Sequence, residues 1–306
     1  MTSAPVRPAR PPVTDPLASL LERADAVSAR ARERGALQPI RTEQTWLEDA
    51  GLRFSVRWVS SLALKDRARV DTVIRRRPDF NPFLPPEPSL TVGELGPRHL
   101  VVLNKFPVIE RHLLIVTRHF EDQCAPLRRS DFEALGALIA RHGGLGFYNG
   151  GRIAGASQSH KHLQWVPESA ASLDDFLPET PAADAHGLFT NALLPWAHAF
   201  VRLDDGGGAL ATLPGAAAGA RLEAAFHQAC RALELPADAD PMPPYNLLVS
   251  RRALLLVPRR EEKWQDVSVN SLAYAGSLFV RDPEQIDRLR ACGPLAVLAA
   301  VGRPTR

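Results

Sequence analysis

The chain has 306 residues, 45% of them hydrophobic and 23% charged, a composition typical of a globular protein with a substantial core. It contains no run of about 18 apolar residues, so we expect no transmembrane helix, and its net charge of +3 is lower than nucleic-acid-binding domains usually carry. Three widely spaced cysteines, Cys124, Cys230 and Cys292, indicate neither a disulfide framework nor a zinc site and favour a reducing, cytoplasmic location.

The N-terminal half is predicted to combine helices with short strands. Residues 1–16 hold five prolines and two arginines without an apolar segment, which indicates a disordered leader. The remaining predicted elements are, in chain order, a helix over 17–35, a strand over 53–64, a proline-rich loop over 78–88, a hairpin of strands 100–106 and 112–117 turning at Pro107, a helix over 129–141 with Ser130 as N-cap, and strands over 145–149 and 160–166.

The C-terminal half begins with a change in composition. Its predicted elements are a Pro/Ala/Asp-rich linker over 167–187, a mobile Gly/Ala-rich loop over 204–219, a helix over 221–233, a proline-rich break over 238–244, a hairpin of strands 245–250 and 253–258, and a helix over 284–291. Strands and helices do not alternate regularly, so we expect an α+β fold. Hairpin-plus-helix units at 95–166 and 245–300 suggest two related halves, which we place at 17–167 and 185–302.

The segment 155–164, with the sequence GASQSHKHLQ, carries the strongest functional signal. His160, His162 and Gln164 alternate, so on a β-strand their side chains would share one face. The turn before them consists of Gly155, Ala156, Ser157 and Gln158. Such small residues let a ligand approach free backbone N–H groups closely, as a phosphate cradle requires. Imidazoles, an amide and backbone donors in one place favour phosphorus chemistry.

Lysine is scarce in this chain. Of 37 basic residues only four are lysine, namely Lys65, Lys105, Lys161 and Lys263. A compact ammonium and a planar guanidinium are not interchangeable, so these lysines either mark places where a point charge is needed or remain by chance. Lys65 and Lys105 are the stronger candidates for a functional role.

Seven motifs, in order, resemble those of one family. They are NKFP (104–107), HLLIVTR (112–118), FYNGG (147–151), GASQSHKHLQ (155–164), LPWAHA (194–199), YNLL (245–248) and VNSLAYAG (269–276). They resemble the ATP adenylyltransferases, also called diadenosine tetraphosphate (Ap4A) phosphorylases, of the histidine-triad superfamily. The resemblance covers about residues 50–300 and implies a histidine-triad-like antiparallel sheet with flanking helices.

The resemblance implies a two-step reaction. His162 would attack the α-phosphorus of a bound adenine nucleotide, and inorganic phosphate would then release ADP from the adenylyl-histidine, so that Ap4A and phosphate yield ATP and ADP. Gln164 would donate to the α-phosphate, and His160 would either orient its neighbour or simply pack. Imidazole is suited to such attack near neutral pH when its other nitrogen is anchored.

By family position, a larger set of residues would line the nucleotide site. It comprises Lys65, Asn104, Lys105, Asn149, Gly155, Ala156, Ser157, Gln158, Asn270, Ser271, Leu272, Ser277 and Arg281. The family tends to have lysine at the position of Arg281 and a larger residue at that of Ser277.

Other readings of the motif stay open. Alternating histidines also suit zinc, but no cysteine or carboxylate lies close in sequence, so we expect no protein-bound metal. A hexose-1-phosphate nucleotidyltransferase of the related branch would have Pro and Gly in place of Lys161 and Leu163, and a hydrolase would have a histidine in place of Gln164. A nucleotide-binding sensor that has lost catalysis is the alternative outside enzymes.

The implied ligands are small molecules. They are Ap4A, ATP, ADP and phosphate, with a divalent cation such as Mg²⁺ bound with the nucleotide as an open question. We expect no nucleic-acid or membrane partner and either a monomer or a homodimer.

Overall fold

A computed structural model of the chain describes residues 17–59, 80–178, 187–204 and 209–305. The helices in these ranges are α1 (Leu20–Glu33), α2 (Arg129–His142), α3 (Gly215–Ala232), α4 (Pro283–Cys292) and α5 (Pro294–Val301). The strands are β1 (Thr42–Asp49), β2 (Leu52–Val59), β3 (Thr91–Leu95), β4 (His99–Leu103), β5 (Leu113–Thr117), β6 (Leu145–Gly150), β7 (His162–Val166), β8 (Leu188–Phe189), β9 (Ala199–Arg202), β10 (Tyr245–Val249), β11 (Ala253–Pro258), β12 (Lys263–Trp264), β13 (Val267–Ser268) and β14 (Ser277–Val280).

Nine of these strands form one antiparallel sheet in the order β3-β4-β5-β7-β6-β10-β11-β9-β8. Both predicted hairpins are present as β4–β5 and β10–β11. The earlier strands meet the later ones where β6 pairs with β10, with Asn149 opposite Asn246. The predicted α+β class, a large antiparallel sheet with flanking helices, is confirmed. The boundaries proposed for the two halves stay a prediction.

Both faces of the large sheet are covered, so its inner strands are buried along their whole length. Every residue of β5, β6, β10 and β11 is buried, as expected for strands with no solvent-facing side. The core that includes α1, α2 and α3 contains Phe132, Trp165 and Phe226. The core that includes α4 and α5 contains Phe54 and Trp196.

Helix α3 begins at Gly215, so the prediction of a mobile loop through residue 219 was wrong for its last five residues. The reason is a close approach of α2 and α3. A Cβ atom on Gly136 would lie 2.8 Å from the backbone nitrogen of Gly219, and one on Gly219 would lie 2.5 Å from Cα of Glu133. Glycine therefore serves helix packing here, although by itself it disfavours a helix.

Several boundaries also differ from the predictions. Helix α5 and strands β1, β3, β8, β9, β12, β13 and β14 were missed. Helix α2 follows Arg128, whose backbone N–H donates to the carboxylate of Asp131, so Ser130 is not the N-cap. Residues 167–178 of the predicted linker are packed, since Phe176 lies edge-on against Phe54 at 5.6 Å. No helix within the described ranges is long and apolar enough to span a membrane.

A smaller sheet joins distant parts of the chain. The hairpin β1–β2 pairs along β2 with the parallel strand β14, in the order β1-β2-β14. This second sheet brings the segment that precedes β14, with its VNSLAYAG motif, close to the N-terminal part of the fold.

Candidate active site

His162 is the first residue of β7, and its imidazole is almost completely buried. Its Nδ1 lies 2.8 Å from the backbone carbonyl oxygen of His160. Because a carbonyl only accepts hydrogen bonds, Nδ1 carries the proton and Nε2 keeps its lone pair. Burial lowers the pKa of His162 to about 4. The ring is therefore neutral near pH 7, and Nε2 has the electron pair that a nucleophile needs.

Gln164 is oriented by two side chains, Asn104 and His112, which are linked to it by hydrogen bonds. The amide oxygen of Asn104 accepts from the backbone N–H of Phe106 at 3.2 Å, so its Nδ2 donates to Nδ1 of His112 at 3.1 Å. The other ring nitrogen of His112 then carries the proton and donates to Oε1 of Gln164 at 2.9 Å. Burial lowers the pKa of His112 to about 4, which keeps this ring neutral. Gln164 is left with its amide N–H groups as donors.

His160 lies just before β7, joined to Asp122 by an isolated bridge, so the predicted strand begins two residues later than expected. Its Nε2 is 2.9 Å from the carbonyl oxygen of Thr117, and its Nδ1 is 2.9 Å from Nδ2 of Asn81. The ring of Phe83 contacts both motif histidines, with centroids 5.6 Å from His160 and 5.4 Å from His162. Both ring nitrogens of His160 thus have protein partners, and its orienting role stays a prediction.

Lys161 points into the protein between the two histidines. Its ammonium lies 2.9 Å from the carboxylate of Glu121, 2.9 Å from the carbonyl oxygen of Pro126 and 3.6 Å from the carboxylate of Asp131. The side chain is fully buried. Three acceptors surround the three N–H donors of a compact ammonium. Lys161 therefore stabilises the fold and does not face the ligand.

The turn before the motif is packed against a distant segment. Gly155 has a φ of +93°, and a Cβ atom on it would lie 2.8 Å from both Cβ of Asn270 and the carbonyl oxygen of Val269. The N–H groups of Gly155 and Ala156 donate to the carbonyl oxygens of Arg152 and Gly151, which precede the turn. The expectation that the whole turn presents free N–H groups is therefore wrong for these two residues. Ser157 is exposed, and Gln158 is partly buried.

A buried polar cluster links β6, β10 and the VNSLAYAG segment. The amide oxygen of Asn149 accepts from the backbone N–H and the hydroxyl of Ser271, at 2.9 and 2.6 Å, and from Nδ2 of Asn246 at 3.0 Å. Arg259 donates to Asn246 at 2.6 Å, and burial lowers its pKa. Asn149 and Ser271, predicted to line the nucleotide site, thus bond chiefly to protein atoms.

The other predicted binding residues are spread around this arrangement. Lys65 lies outside the described residues. The ammonium of Lys105 forms an ion pair with Glu87 at 2.9 Å. The side chain of Asn270 accepts from the backbone N–H of Leu272, which is buried. Ser277 is buried in β14, where its hydroxyl has no partner in the described part of the chain, and Arg281 donates its backbone N–H to Gln285.

The sequence reasoning missed several residues that contact the motif. His112 was taken for a surface or packing residue, and Asn81, Phe83 and Gln123 were not singled out. The available signal was the predicted hairpin, which joins the strand that contains Asn104 to the strand that begins at His112. A cavity of about 250 Å³ borders this part of the site. It is lined, among others, by Ala24, Leu37, Ile40, Leu103, Asn104 and His112.

A protein-bound metal ion needs a cluster of ligating side chains. In 17–59, 80–178, 187–204 and 209–305, no group of three or more His, Cys, Asp or Glu side chains is arranged to hold a metal ion.

The antiparallel sheet places His162 and Gln164 together on buried strand β7. The profile of the Ap4A phosphorylase N-terminal domain matches residues 12–184, and that of the ATP adenylyltransferase C-terminal domain matches residues 192–304. The chain belongs to the Ap4A phosphorylase (ATP adenylyltransferase) family, as its seven motifs predicted.

Individual relatives agree with this assignment. The chain is 29% identical over 296 residues to diadenosine 5',5'''-P1,P4-tetraphosphate phosphorylase 2 of Saccharomyces cerevisiae, covering 85% of this chain and 86% of the relative. Protein APA1 of the same yeast is 26% identical over 240 residues, covering 68% and 71%. The crystal structure of yeast Ap4A phosphorylase Apa2 with AMP superimposes with a TM-score of 0.73 at 24% identity, covering 94% and 97%.

Proposed function

We propose that this protein converts Ap4A and inorganic phosphate to ATP and ADP through an adenylyl-His162 intermediate. Nε2 of His162 attacks the α-phosphorus, the P–O bond to the remaining polyphosphate breaks, and ATP leaves. An oxygen of phosphate then attacks the same phosphorus, the P–N bond breaks, and ADP forms. The observation that carries this proposal is the hydrogen bond from Nδ1 of His162 to the carbonyl oxygen of His160, which leaves Nε2 unprotonated.

The surrounding side chains have distinct roles in this proposal. Gln164, oriented by His112, donates an amide N–H to a non-bridging oxygen of the α-phosphate as charge develops there. The adenosine occupies the cavity beside Asn104 and His112. That cavity borders the chain of hydrogen bonds that ends at Gln164, so in this proposal the nucleoside lies with its 5'-phosphate toward β7.

The charge of the polyphosphate requires basic residues. We assign this role to Lys65, Lys105 and Arg281, with the turn 155–158 and the residues Asn270, Ser271, Leu272 and Ser277 closing the site. Lys105 would exchange Glu87 for phosphate, since this ion pair is about 40% exposed on both sides. Any Mg²⁺ would be held mainly by phosphate oxygens, because the described residues offer no ready-made cluster of ligands.

Two enzymatic alternatives would use the same nucleophile. A hydrolase would transfer the adenylyl group to water, and a hexose-1-phosphate nucleotidyltransferase would transfer a nucleotide to a sugar phosphate. Gln164 favours the phosphorylase, because an amide adds no charge that titrates near pH 7 beside an anionic acceptor. We expect the protein to act in the cytoplasm, as a monomer or a homodimer.

Product analysis tests this proposal. The purified protein is incubated with Ap4A in phosphate-free buffer and then with added phosphate, and the nucleotides are separated by chromatography. We expect ATP and ADP only when phosphate is present, and little AMP in its absence. Rapid release of AMP without phosphate would assign the chain to the hydrolases, and stable binding of Ap4A without any product would indicate a sensor.

A further inference from the structure

Gln123 lies between β5 and α2, and its side chain is almost completely buried beneath the motif. Its Oε1 accepts from the backbone N–H of His162 at 2.8 Å. Its Nε2 donates to the carbonyl oxygen of Asn149 at 2.9 Å and lies 3.3 Å from that of His162. One amide side chain therefore bonds to both polar backbone groups of the candidate nucleophile.

These hydrogen bonds lie at the point where the pairing between β6 and β7 ends. Strands β6 and β7 pair from Leu145 opposite Val166 to Phe147 opposite Gln164. Continuing this antiparallel register by two residues would set Asn149 opposite His162, yet the ladder has ended there. Buried backbone groups need partners, and the amide of Gln123, inserted between the two strands, supplies them. Gln123 thus replaces one backbone-to-backbone hydrogen-bonded pair between β6 and β7.

Gln123 is itself fixed in place by its neighbours. Its backbone N–H donates to the carbonyl oxygen of Ser159 at 2.7 Å, and its carbonyl oxygen accepts from the hydroxyl of Tyr148. The Asn149 that it contacts also holds Ser271 in the buried polar cluster. Gln123 thus connects β7, which carries His162, to the buried polar cluster around Asn149 and Ser271.

We propose that Gln123 is a positioning residue, which holds the backbone of His162 so that Nδ1 stays on the His160 carbonyl and Nε2 faces the phosphorus. The inference rests on the proposed function, because it concerns the geometry of adenylyl transfer. Without Gln123, the His162 backbone would lose the side chain that bonds to its N–H and carbonyl groups, and the ring would sample orientations in which Nε2 is misaligned. A small misalignment of the reacting groups lowers the reaction rate far more than it lowers the affinity for the substrate.

Two variants test the proposal against a matched control. Gln123→Met keeps the length of the side chain and removes all three contacts, whereas Gln123→Glu keeps the acceptor for the His162 N–H and replaces the donor. The control is Asn191→Leu. Asn191 is likewise a buried amide that bridges backbone groups, donating to the Phe176 carbonyl oxygen at 2.9 Å, but it precedes β9, four strands from β7.

Three quantities are measured on the full chain. They are the single-turnover rate of adenylyl-His162 formation from Ap4A, the KM for Ap4A, and the ¹⁵N spectrum of the His162 ring. We expect Gln123→Met to slow adenylyl transfer by about 10²-fold with KM changed by less than about threefold, and to mix the two ring tautomers. We expect Gln123→Glu to slow it as well, and Asn191→Leu to lower the unfolding midpoint while leaving rate and tautomer unchanged.

The outcomes separate this inference from the proposed function. An unchanged adenylyl-transfer rate in folded Gln123→Met, or an equal loss in Asn191→Leu, overturns the positioning role. If Gln123→Met does not fold, the same criterion applies to Gln123→Glu. If the wild-type protein forms no adenylyl-histidine, the proposed function fails, and the ¹⁵N spectrum decides this inference. A single His162 tautomer in the variant then overturns it, and a mixture supports it.

Discussion

The buried imidazole of His162 predicts an unusual pH dependence for adenylyl transfer. Burial lowers its pKa from 6.5 to about 4, and only the neutral ring can attack phosphorus. The rate of adenylyl-His162 formation should therefore stay level as the pH falls from 8 to about 5.5, through the range where an ordinary histidine becomes protonated.

The size of the effect follows from the two pKa values. At pH 5.5, a histidine with a pKa of about 6.5 is neutral in about 9% of molecules, whereas one with a pKa of about 4 is neutral in about 97%. The two cases differ by about tenfold in rate. The shift from 6.5 to about 4 also means that folding favours the neutral ring by about 3 kcal/mol.

The same shift affects stability. The unfolded chain binds a proton at His162 below pH 6.5, while the folded chain does so only near pH 4. This part of the stability is therefore complete above the unfolded pKa and is lost as the pH falls toward 4, and His112 contributes in the same direction. Kinetics at low pH should use a brief pH jump from neutral stock.

Quenched flow followed by mass spectrometry of the adenylyl-enzyme measures the rate at constant ionic strength. Phe83→Ala provides the comparison, because Phe83 covers the His162 ring at 5.4 Å between centroids. Admitting water there should raise the pKa of His162 and move the inflection to higher pH. An inflection near pH 6.5 in the wild-type protein, or no shift in Phe83→Ala, would refute the link between burial and nucleophile.

Three further changes have defined expected outcomes. His162→Ala should abolish turnover while circular dichroism stays that of the wild type, and retention of more than about a tenth of the activity would remove His162 from the nucleophilic role. Lys105→Ala should raise the KM for Ap4A about tenfold. It should change the free energy of unfolding by less than about 1 kcal/mol, because Lys105 and its partner Glu87 are both partly exposed. Full rescue of the KM by Lys105→Arg would contradict the need for a compact charge. Lys161→Met should lower the free energy of unfolding in urea by about 1–3 kcal/mol, because the carbonyl oxygen of Pro126 and the buried carboxylate of Asp131 would lose their donor, while Glu121 keeps Arg98. No measurable loss would show that these contacts contribute little.

The local elements were predictable because their signals lie within a few residues. The turn at Pro107 and the apolar runs around it indicated the β4–β5 hairpin, and the spacing of Phe132, Leu135 and Ile139 indicated α2. The first turn of α3 was not predictable in this way. Glycine by itself disfavours a helix, so Gly219 predicts a loop. Its close contact with Gly136 on α2 explains why a glycine is present within α3.

The family and the candidate nucleophile could be predicted from the sequence alone, because the His-x-His-x-Gln motif and its companions are contiguous segments in a fixed order. The protonation of those residues was decided only by the tertiary structure. The carbonyl that anchors His162 is two residues away, but the side chains of Gln123, at a separation of 39 residues, and of His112, 52 residues from Gln164, reach the motif only in the folded sheet. Strand register and burial set these contacts, and neither can be read from local spacing.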